Sequence, residues 1–409
     1  MKITLISDRI PPENAGGAEV VVWNLARQLV RAGHSVLIIT GTGGAPGVEN
    51  RDGVQIHKLH APLLGRWRYW MGIYRPRLVA QVRAILRASK PDVVNIHNVH
   101  GALSWGCFAA ARGIPTVVTA HDMMSIAYGK LTHFIDPAQR TIPSRFEYHL
   151  PRGYNLRLAR LRYNPLYRPL VHRLISRAEG RTCVSAAQRD ALAANGLSGF
   201  EVVHNGIDPA TFILPKQAVD AVRAEFADRP TILLAGRLSE GKGFFQLLTA
   251  LEKARTQVPN AQLCLLARSD DVAAIAWQHP GIIDALYNGG WRHGEGLRAV
   301  FAAVDIVCLS SIFLDPLPTV ALEGMAAGKP IIGSCFGGIS EMVQDGITGY
   351  LVNPFDTDAF ADRLVRLLRD PDLALQMGEA GQARVAAHFT LEQQAIEMLR
   401  VFNAAISTR

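Results

Sequence analysis

The sequence predicts an α/β protein of two Rossmann-like, doubly wound parallel-sheet domains facing a central cleft. Three observations lead there. Short, nearly continuous β-rich runs alternate with helical patterns, as expected of parallel strands covered on both faces. The alternation is broken by a cluster of turn-forming residues, Asn205-Gly206-Ile207-Asp208-Pro209, and then starts again. The 409-residue length is too great for one ordinary core and suits two.

In the first half, strands are expected at Lys2–Ser7, Ser35–Thr40, Val54–Leu59, Val93–His97 and Thr116–Ala120. Between the first two, Val21, Leu25, Leu29 and Val30 form one apolar stripe, which predicts a helix over Ala18–Ala32 stopped by Gly33. After the turn cluster, strands are expected at Thr231–Ala235, Gln262–Leu266, Ile282–Leu286, Ile306–Leu309, Pro330–Gly333 and Gly349–Val352. A last amphipathic helix covers Thr390–Ile406, with Thr390 as its cap. The expected domains are therefore 1–210 and 211–389, with 390–409 as a terminal helix. In open sheets of this kind ligands bind beyond the carboxyl ends of the strands, so the candidate residues are sought there.

Composition narrows the function classes. With 49% hydrophobic and 19% charged residues the chain is neither fibrous nor disordered. Its five cysteines are scattered and form no CxxC pair, which argues against a disulfide framework or a zinc site and fits a reducing cytoplasm. The first strand turns polar too soon for a signal-peptide core, and no run of about 18 apolar residues is present to span a membrane. Charge is uneven: residues 1–210 hold 26 Lys+Arg against 13 Asp+Glu, and the remainder 17 against 22. The first half therefore faces an acidic partner or an anionic surface.

The most specific stretch runs from Ser310 to Val352. A strand delivers the chain to Asp315, then to Pro318, Thr319 and Val320 at the start of a helix that carries Glu323. The free amides and positive dipole end of such a helix suit a diphosphate. The two carboxylates would repel phosphate and are suited to accept hydrogen bonds from sugar hydroxyls; the plainer alternative is a helix start with capping acids. A second strand runs through Gly236-Arg237 to Gly241-Lys242-Gly243, which places Arg237 and Lys242 to clamp two phosphates and to stabilise a leaving diphosphate. Alone, that turn also reads as a solvated loop. The glycines Gly16 and Gly17, in a loop that opens the first helix, allow close approach of a phosphate or sugar, or simply a tight turn. That loop is not GxGxxG, so a nicotinamide cofactor is not favoured. His121 and Asp122 end the Thr116–Ala120 strand, and His97 and His100 end the strand before it; packed core histidines are the alternative. Asp356-Thr-Asp358 and Asp370-Pro-Asp372 precede helices and read as caps, so no metal site is expected.

Together these motifs resemble family 4 of the retaining GT-B glycosyltransferases, over nearly the whole chain and most strongly in 230–355. That family carries two glutamates eight positions apart before Ala-Met-Ala-x-Gly-x-Pro; here Asp315 and Glu323 hold those places, and Leu317-Pro318 stands where Phe-Gly is usual. The resemblance implies that Glu323 binds the nucleotide ribose, Asp315 the transferred sugar, and Arg237 and Lys242 the diphosphate. Gly16 and Gly17 would face the diphosphate, and His121 would lie beside the donor sugar. The catalytic set is then His121, Asp315, Arg237 and Lys242. The donor set adds Gly16, Gly17, Pro318, Thr319, Val320 and Glu323, and His97 and Asp122 fall on the acceptor side. The first domain would bind the acceptor and the second the nucleotide sugar, with the base held by loops such as 267–271 and 288–293. The last helix would cross back to the first domain. No cofactor is implied beyond the nucleotide-sugar co-substrate, and the transfer would retain configuration by front-face attack. The alternatives are a nucleotide-sugar epimerase or an inverting transferase of the same fold, and a non-catalytic carbohydrate-binding or scaffolding subunit that retains it.

One feature lies outside those motifs. No acidic residue occurs between Asp52 and Asp92, where Arg66, Arg68, Arg75, Arg77, Arg83 and Arg87 are interleaved with Trp67, Tyr69, Trp70 and Tyr74. Residues 140–181 hold ten arginines against Glu147 and Glu179. Arginine with Trp and Tyr suits an anionic membrane surface and a lipid-linked acceptor, or else a packed helix with a solvated basic face. No nucleic-acid recognition module is present, and nucleic acid is not an expected partner.

Overall fold

The computed structural model describes residues 1–13, 16–234, 236, 238–267 and 280–409. It divides into two units, Met1–Leu131 with Tyr148–Gly206 and Leu391–Arg409, and Thr132–Glu147 with Ile207–Thr390.

The first unit is built on an eight-stranded sheet. Its strands are β1 (Lys2–Ser7), β2 (Ser35–Thr42), β3 (Gly47–Arg51), β4 (Val54–His60), β5 (Val93–Ile96), β6 (Thr116–Ala120), β7 (Gly180–Cys183) and β8 (Glu201–Val202). They lie in the order β3-β4-β2-β1-β5-β6-β7-β8, and all pairs are parallel except β3 with β4. Ile3, Leu5, Ile38 and Val117 on one face and Thr4, Ile6, Ile39 and Val118 on the other are all buried, because both faces of the sheet are covered. The strand order turns around between β1 and β5, and their carboxyl ends open a crevice at that point.

Helix Gly17–Arg31 follows β1, one residue off at each end from the expected span. Gly33 has φ +83, its amide donates to the Val30 carbonyl at 2.9 Å, and the His34 amide donates to that of Leu29 at 3.1 Å. That pair of bonds is a Schellman stop, and the positive φ explains the glycine. Helix Leu391–Ser407 packs on this same sheet, with Met398, Val401 and Phe402 buried among its strands. Gly180 on β7 admits it: a Cβ there would lie 3.0 Å from Val401 Cγ1.

The second unit holds β9 (Thr231–Leu234), β10 (Gln262–Leu265), β11 (Leu286–Asn288), β12 (Ile306–Leu309), β13 (Ile331–Ser334) and β14 (Gly349–Val352), ordered β11-β10-β9-β12-β13-β14 and parallel throughout. Here the order turns around between β9 and β12. Phe244, Leu247, Leu251 and Phe360 close the core over the strands.

Several expectations need correction. Ile282–Leu286 is not a strand; Pro280–Ala285 forms a 3-10 turn, and the strand starts at Leu286. β3, β7 and β8 were not expected; they are short or, like Gly-Val-Glu-Asn-Arg in β3, polar runs at a sheet edge. The boundary drawn at 210 also differs, since the chain passes between units at Gly206 and Ile207. Thr132–Glu147 belongs to the second unit although it lies deep in the first half of the sequence. Phe134 and Phe146 meet Phe336 edge-on at 6.0 and 5.7 Å, and Asn353 Nδ2 donates to the carbonyls of Gln139 and Thr141 at 2.9 and 3.1 Å. All five cysteines are buried and free. Among the described residues, no helix is long and apolar enough to cross a membrane.

Candidate active site

In the second unit, three loops after β9, β12 and β13 converge on Asp315. The turn Glu240–Lys242 ends in Gly243 at φ +66, and a Cβ there would lie 1.7 Å from the Ser310 carbonyl oxygen. Only glycine permits that approach. The loops are then joined: the Ile312 amide donates to the Gly241 carbonyl at 2.9 Å, and Ser310 Oγ to that of Lys242 at 2.9 Å. From the other side, Gly337 at φ +94 lies against the Asp315 backbone, and the Gly338 amide donates to the Asp315 carbonyl at 2.9 Å.

This scaffold sets Lys242 Nζ 2.7 Å from Asp315 Oδ2, which also accepts from Ser311 Oγ at 3.1 Å. The ammonium lies 5.2 Å from the centre of the Phe313 ring. Lys242 and Asp315, read from the sequence as separate phosphate and sugar groups, are thus one ion pair. Lysine has three N–H donors, so an ammonium bonded to Asp315 still has two to offer an anion. Arg237, the other expected clamp residue, lies outside the described residues, as do residues 268–271 of the expected base loop.

Pro318, in extended conformation, precedes helix Thr319–Ala326. Thr319 and Val320 occupy its first turn, where backbone amides have no partner within the helix. Glu323 is half-buried, and no described residue donates to its carboxylate. Desolvation pushes that carboxyl up to about 7. A half-buried carboxylate without a donor suits a ligand that brings its own hydroxyls.

In the first unit the crevice at the β1/β5 turnaround is lined by ionisable groups. His97 Nδ1 lies 2.9 Å from His121 Nε2, with the rings stacked at 5.2 Å and 25°. Burial holds His97 well below the usual histidine range, helped by His121, and lowers His121 to about 4. Burial thus disfavours a charge on either ring, and one ring N–H bridges the two nitrogens. His97 Nε2 and His121 Nδ1 are buried without a hydrogen-bond partner among the described residues. If His121 is neutral as these surroundings require, its ring ¹⁵N shifts will stay flat between pH 5 and 8; an NMR inflection near the ordinary value of about 6.5 would contradict the pairing.

Asp122, placed on the acceptor side by the sequence, is tied into a different pair. His100 Nε2 lies 3.0 Å from Asp122 Oδ2, and Asp122 Oδ1 accepts the Met124 amide at 2.8 Å. Burial would raise the Asp122 carboxyl, but His100 and the Met124 amide hold it below its ordinary value. His100 is in turn raised, Asp122 overcoming the effect of its burial. Gln188 Nε2 donates to the Asp122 carbonyl at 3.0 Å.

Sequence reasoning missed Asp8. It is buried directly after β1 and accepts the amides of Gly101, Ala102 at 2.9 Å and Leu103 at 2.6 Å. Its position at a strand's carboxyl end was a signal, but nothing in the sequence shows the loop over 101–103 that caps it. Gly16 has a purpose within its own loop. Its amide donates to Glu19 Oε2 at 2.9 Å, and a Cβ at Gly16 would collide with that oxygen. Burial, together with the charges of Asp8 and Asp122, raises the Glu19 carboxyl. Gly17 is exposed at the start of the helix.

In each acidic pair near the C-terminus the first member is a helix cap and the second lies in the first turn. Asp356 accepts the Ala359 amide at 3.0 Å, Asp358 takes Lys253 Nζ at 2.6 Å, and Asp370 accepts the Leu373 amide at 3.0 Å. Among the described residues, no group of three or more His, Cys, Asp or Glu is placed to hold a metal ion.

Residues 15–211 match the family profile described as Glycosyltransferase Family 4, and residues 216–384 match Glycosyl transferases group 1. The chain belongs to the family 4 glycosyltransferases. This glycosyltransferase is 27% identical to the alpha-maltose-1-phosphate synthase of Mycolicibacterium smegmatis, over 99% of its own chain and 100% of the relative. It is 26% identical to the D-inositol 3-phosphate glycosyltransferase of Stackebrandtia nassauensis, over 97% and 88%. The sucrose-phosphate synthase of Thermosynechococcus elongatus shares its fold with a TM-score of 0.78 at 21% identity, with 100% of both chains covered. HepE of Anabaena, solved in complex with UDP, gives 0.70 at 19% identity, covering 99% and 100%. The fold is GT-B.

Proposed function

We propose that this glycosyltransferase moves a hexose from a nucleoside-diphosphate sugar to a hydroxyl of a glycan or lipid-linked acceptor, with retention of configuration and no divalent ion. The Lys242–Asp315 pair at 2.7 Å, at the β9/β12 turnaround, carries the reading. Its carboxylate accepts a hydroxyl of the donor sugar while the ammonium's free N–H groups meet the diphosphate, joined by Arg237 and the amides of Thr319 and Val320. Glu323 accepts from the ribose, and His121 contacts the donor sugar as a neutral imidazole. Gly16 and Gly17 face the diphosphate, with His97 and Asp122 toward the acceptor. The bond from the anomeric carbon to the diphosphate breaks, the acceptor oxygen bonds to that carbon on the same face, and its proton passes to the departing diphosphate.

A complex of the fold relative HepE with UDP-glucose, and relatives that make maltose 1-phosphate and glycogen, support a sugar nucleotide as donor. The arginine-rich segments 66–87 and 140–181 favour an acceptor at an anionic membrane surface, as in cell-surface polysaccharide or glycolipid synthesis on the inner face of the membrane. The direct test is release of nucleoside diphosphate from UDP-, GDP- and dTDP-sugars with cell lipid extract. Sugar binding without release under any combination would make the chain a non-catalytic subunit, and altered sugar without release would make it an epimerase. Because Asp356 caps a helix and Asp358 is paired with Lys253, excess chelator should leave the rate almost unchanged; a loss restored by Mg²⁺ or Mn²⁺ would refute metal independence.

A further inference from the structure

We infer that the first unit docks on an anionic lipid bilayer through one rigid apolar cap, formed by Trp67, Trp70, Met71, Leu158 and Leu161 and surrounded by arginines. The inference rests on the membrane-surface reading above and is independent of the donor chemistry.

The cap has a firm base. Tyr69 points inward from helix Arg68–Met71, 5.3 Å from the ring of Tyr163 and 4.8 Å from that of Tyr167. Each hydroxyl is held: Tyr69 donates to the Ala127 carbonyl at 3.1 Å, Tyr163 accepts from Asn155 Nδ2 at 3.1 Å, and Tyr167 accepts from Trp105 Nε1 at 2.8 Å. The segments around 70 and 160 are thereby fastened together from inside. Outside, Trp70 Nε1 donates to the Leu161 carbonyl at 3.0 Å. The indole's polar edge is satisfied within the protein, and its apolar surface is left outward.

Exposed apolar residues scattered singly call for no explanation, but here the exposed residues of two segments are joined through the Trp70–Leu161 bond. Trp67 is 48% exposed, Trp70 44%, Met71 51%, Leu158 55% and Leu161 86%. Arg160, at φ +49, holds a left-handed conformation that arginine seldom adopts, just where the chain turns Leu161 outward.

Charge selects the occupant. No acidic residue lies between Asp52 and Asp92, nor between Glu147 and Glu179. Arg66, Arg157, Arg160 and Arg162 are exposed, and no described carboxylate pairs with them. A cap surrounded by one sign of charge would repel its own copy across a symmetric interface. A bilayer with anionic headgroups matches both features, since indoles sit at headgroup depth and the arginines meet lipid phosphates.

The full chain should be mixed with phosphatidylglycerol/phosphatidylcholine vesicles and, separately, with phosphatidylcholine alone. It should partition onto the anionic vesicles at least about tenfold more strongly. Brominated lipid should quench tryptophan emission. The double variant Trp67→Ser/Leu161→Asp, altered only at exposed positions, should lose about tenfold or more of this partitioning while keeping the wild-type melting temperature. Equal partitioning onto both vesicles, or undiminished binding by the double variant, overturns the inference. So does self-association in solution that the double variant abolishes, which would assign the cap to a second copy. Diphosphate release with a soluble acceptor is read separately, so loss of docking and loss of the proposed function are distinguishable.

Discussion

Lys242→Ala is expected to lower kcat/KM by about 2–4 kcal/mol of transition-state stabilisation, the range for losing one preorganised charge donor. The structure makes this change more damaging than the loss of a phosphate contact alone. Lys242 Nζ is 2.7 Å from the largely buried Asp315 carboxylate, so alanine leaves an unpaired negative charge in the place where the diphosphate is proposed to bind. Asp315→Asn removes that charge. The double variant Lys242→Ala/Asp315→Asn should therefore bind nucleoside diphosphate more tightly than Lys242→Ala by itself, although both lack the ammonium. Calorimetry on the single and double variants gives the coupling directly. Near-normal turnover in Lys242→Ala, or strictly additive losses, would mean that the pair is structural only.

Glu323→Gln should stabilise the protein at pH 8 and weaken its hold on nucleotide. The folded-state carboxyl titrates near about 7 against an ordinary 4.5, a gap of about 2.5 units. Below pH 4.5 the group is protonated in both folded and unfolded chains, so it contributes no difference. Between 4.5 and 7 the folded chain holds the extra proton, and stability falls as pH rises. Above 7 the full cost, about 3 kcal/mol at most for a half-buried group, remains. Glutamine escapes that cost, so the variant's melting temperature should exceed wild type at pH 8 and equal it at pH 4. The wild-type kcat/KM should rise through pH about 7 as the carboxylate forms to accept the ribose, and that inflection should vanish in Glu323→Gln. Equal melting temperatures at pH 8, or an inflection that persists in the variant, would contradict the assignment.

Much of this was legible along the chain. Apolar runs of four to six residues separated by helical patterns announced parallel sheets, because a strand buried on both faces cannot alternate polar residues. Val21, Leu25, Leu29 and Gly33 delimited the first helix to within one residue. Asp315, Pro318 and Glu323 were singled out by a motif that resembles the family's, carried on a strand, a loop and one helix in succession. The same local logic failed at Ile282–Leu286, where apolar content without period suits a strand or a buried 3-10 turn equally.

Contacts between distant segments were not legible, for a physical reason. Strand periodicity and turn chemistry act over a few residues, whereas a partner across the sheet depends on which strands become neighbours. Lys242 meets Asp315 across 73 positions because β9 and β12 are adjacent and Gly243 and Gly337 let their loops close. His97 meets His121 because β5 pairs with β6, which turns two unremarkable histidines into a buried, hydrogen-bonded pair. Asp8 draws its three amides from residues more than ninety positions away, and Thr132–Glu147 joins the second unit through Phe336 and Asn353. The sequence by itself determined the layered α/β architecture, the family and the identity of the candidate groups, all of which rest on short-range patterns. Only the tertiary structure decided their pairings, burial and ionisation, because desolvation and ion pairing are set by neighbours that strand order brings together.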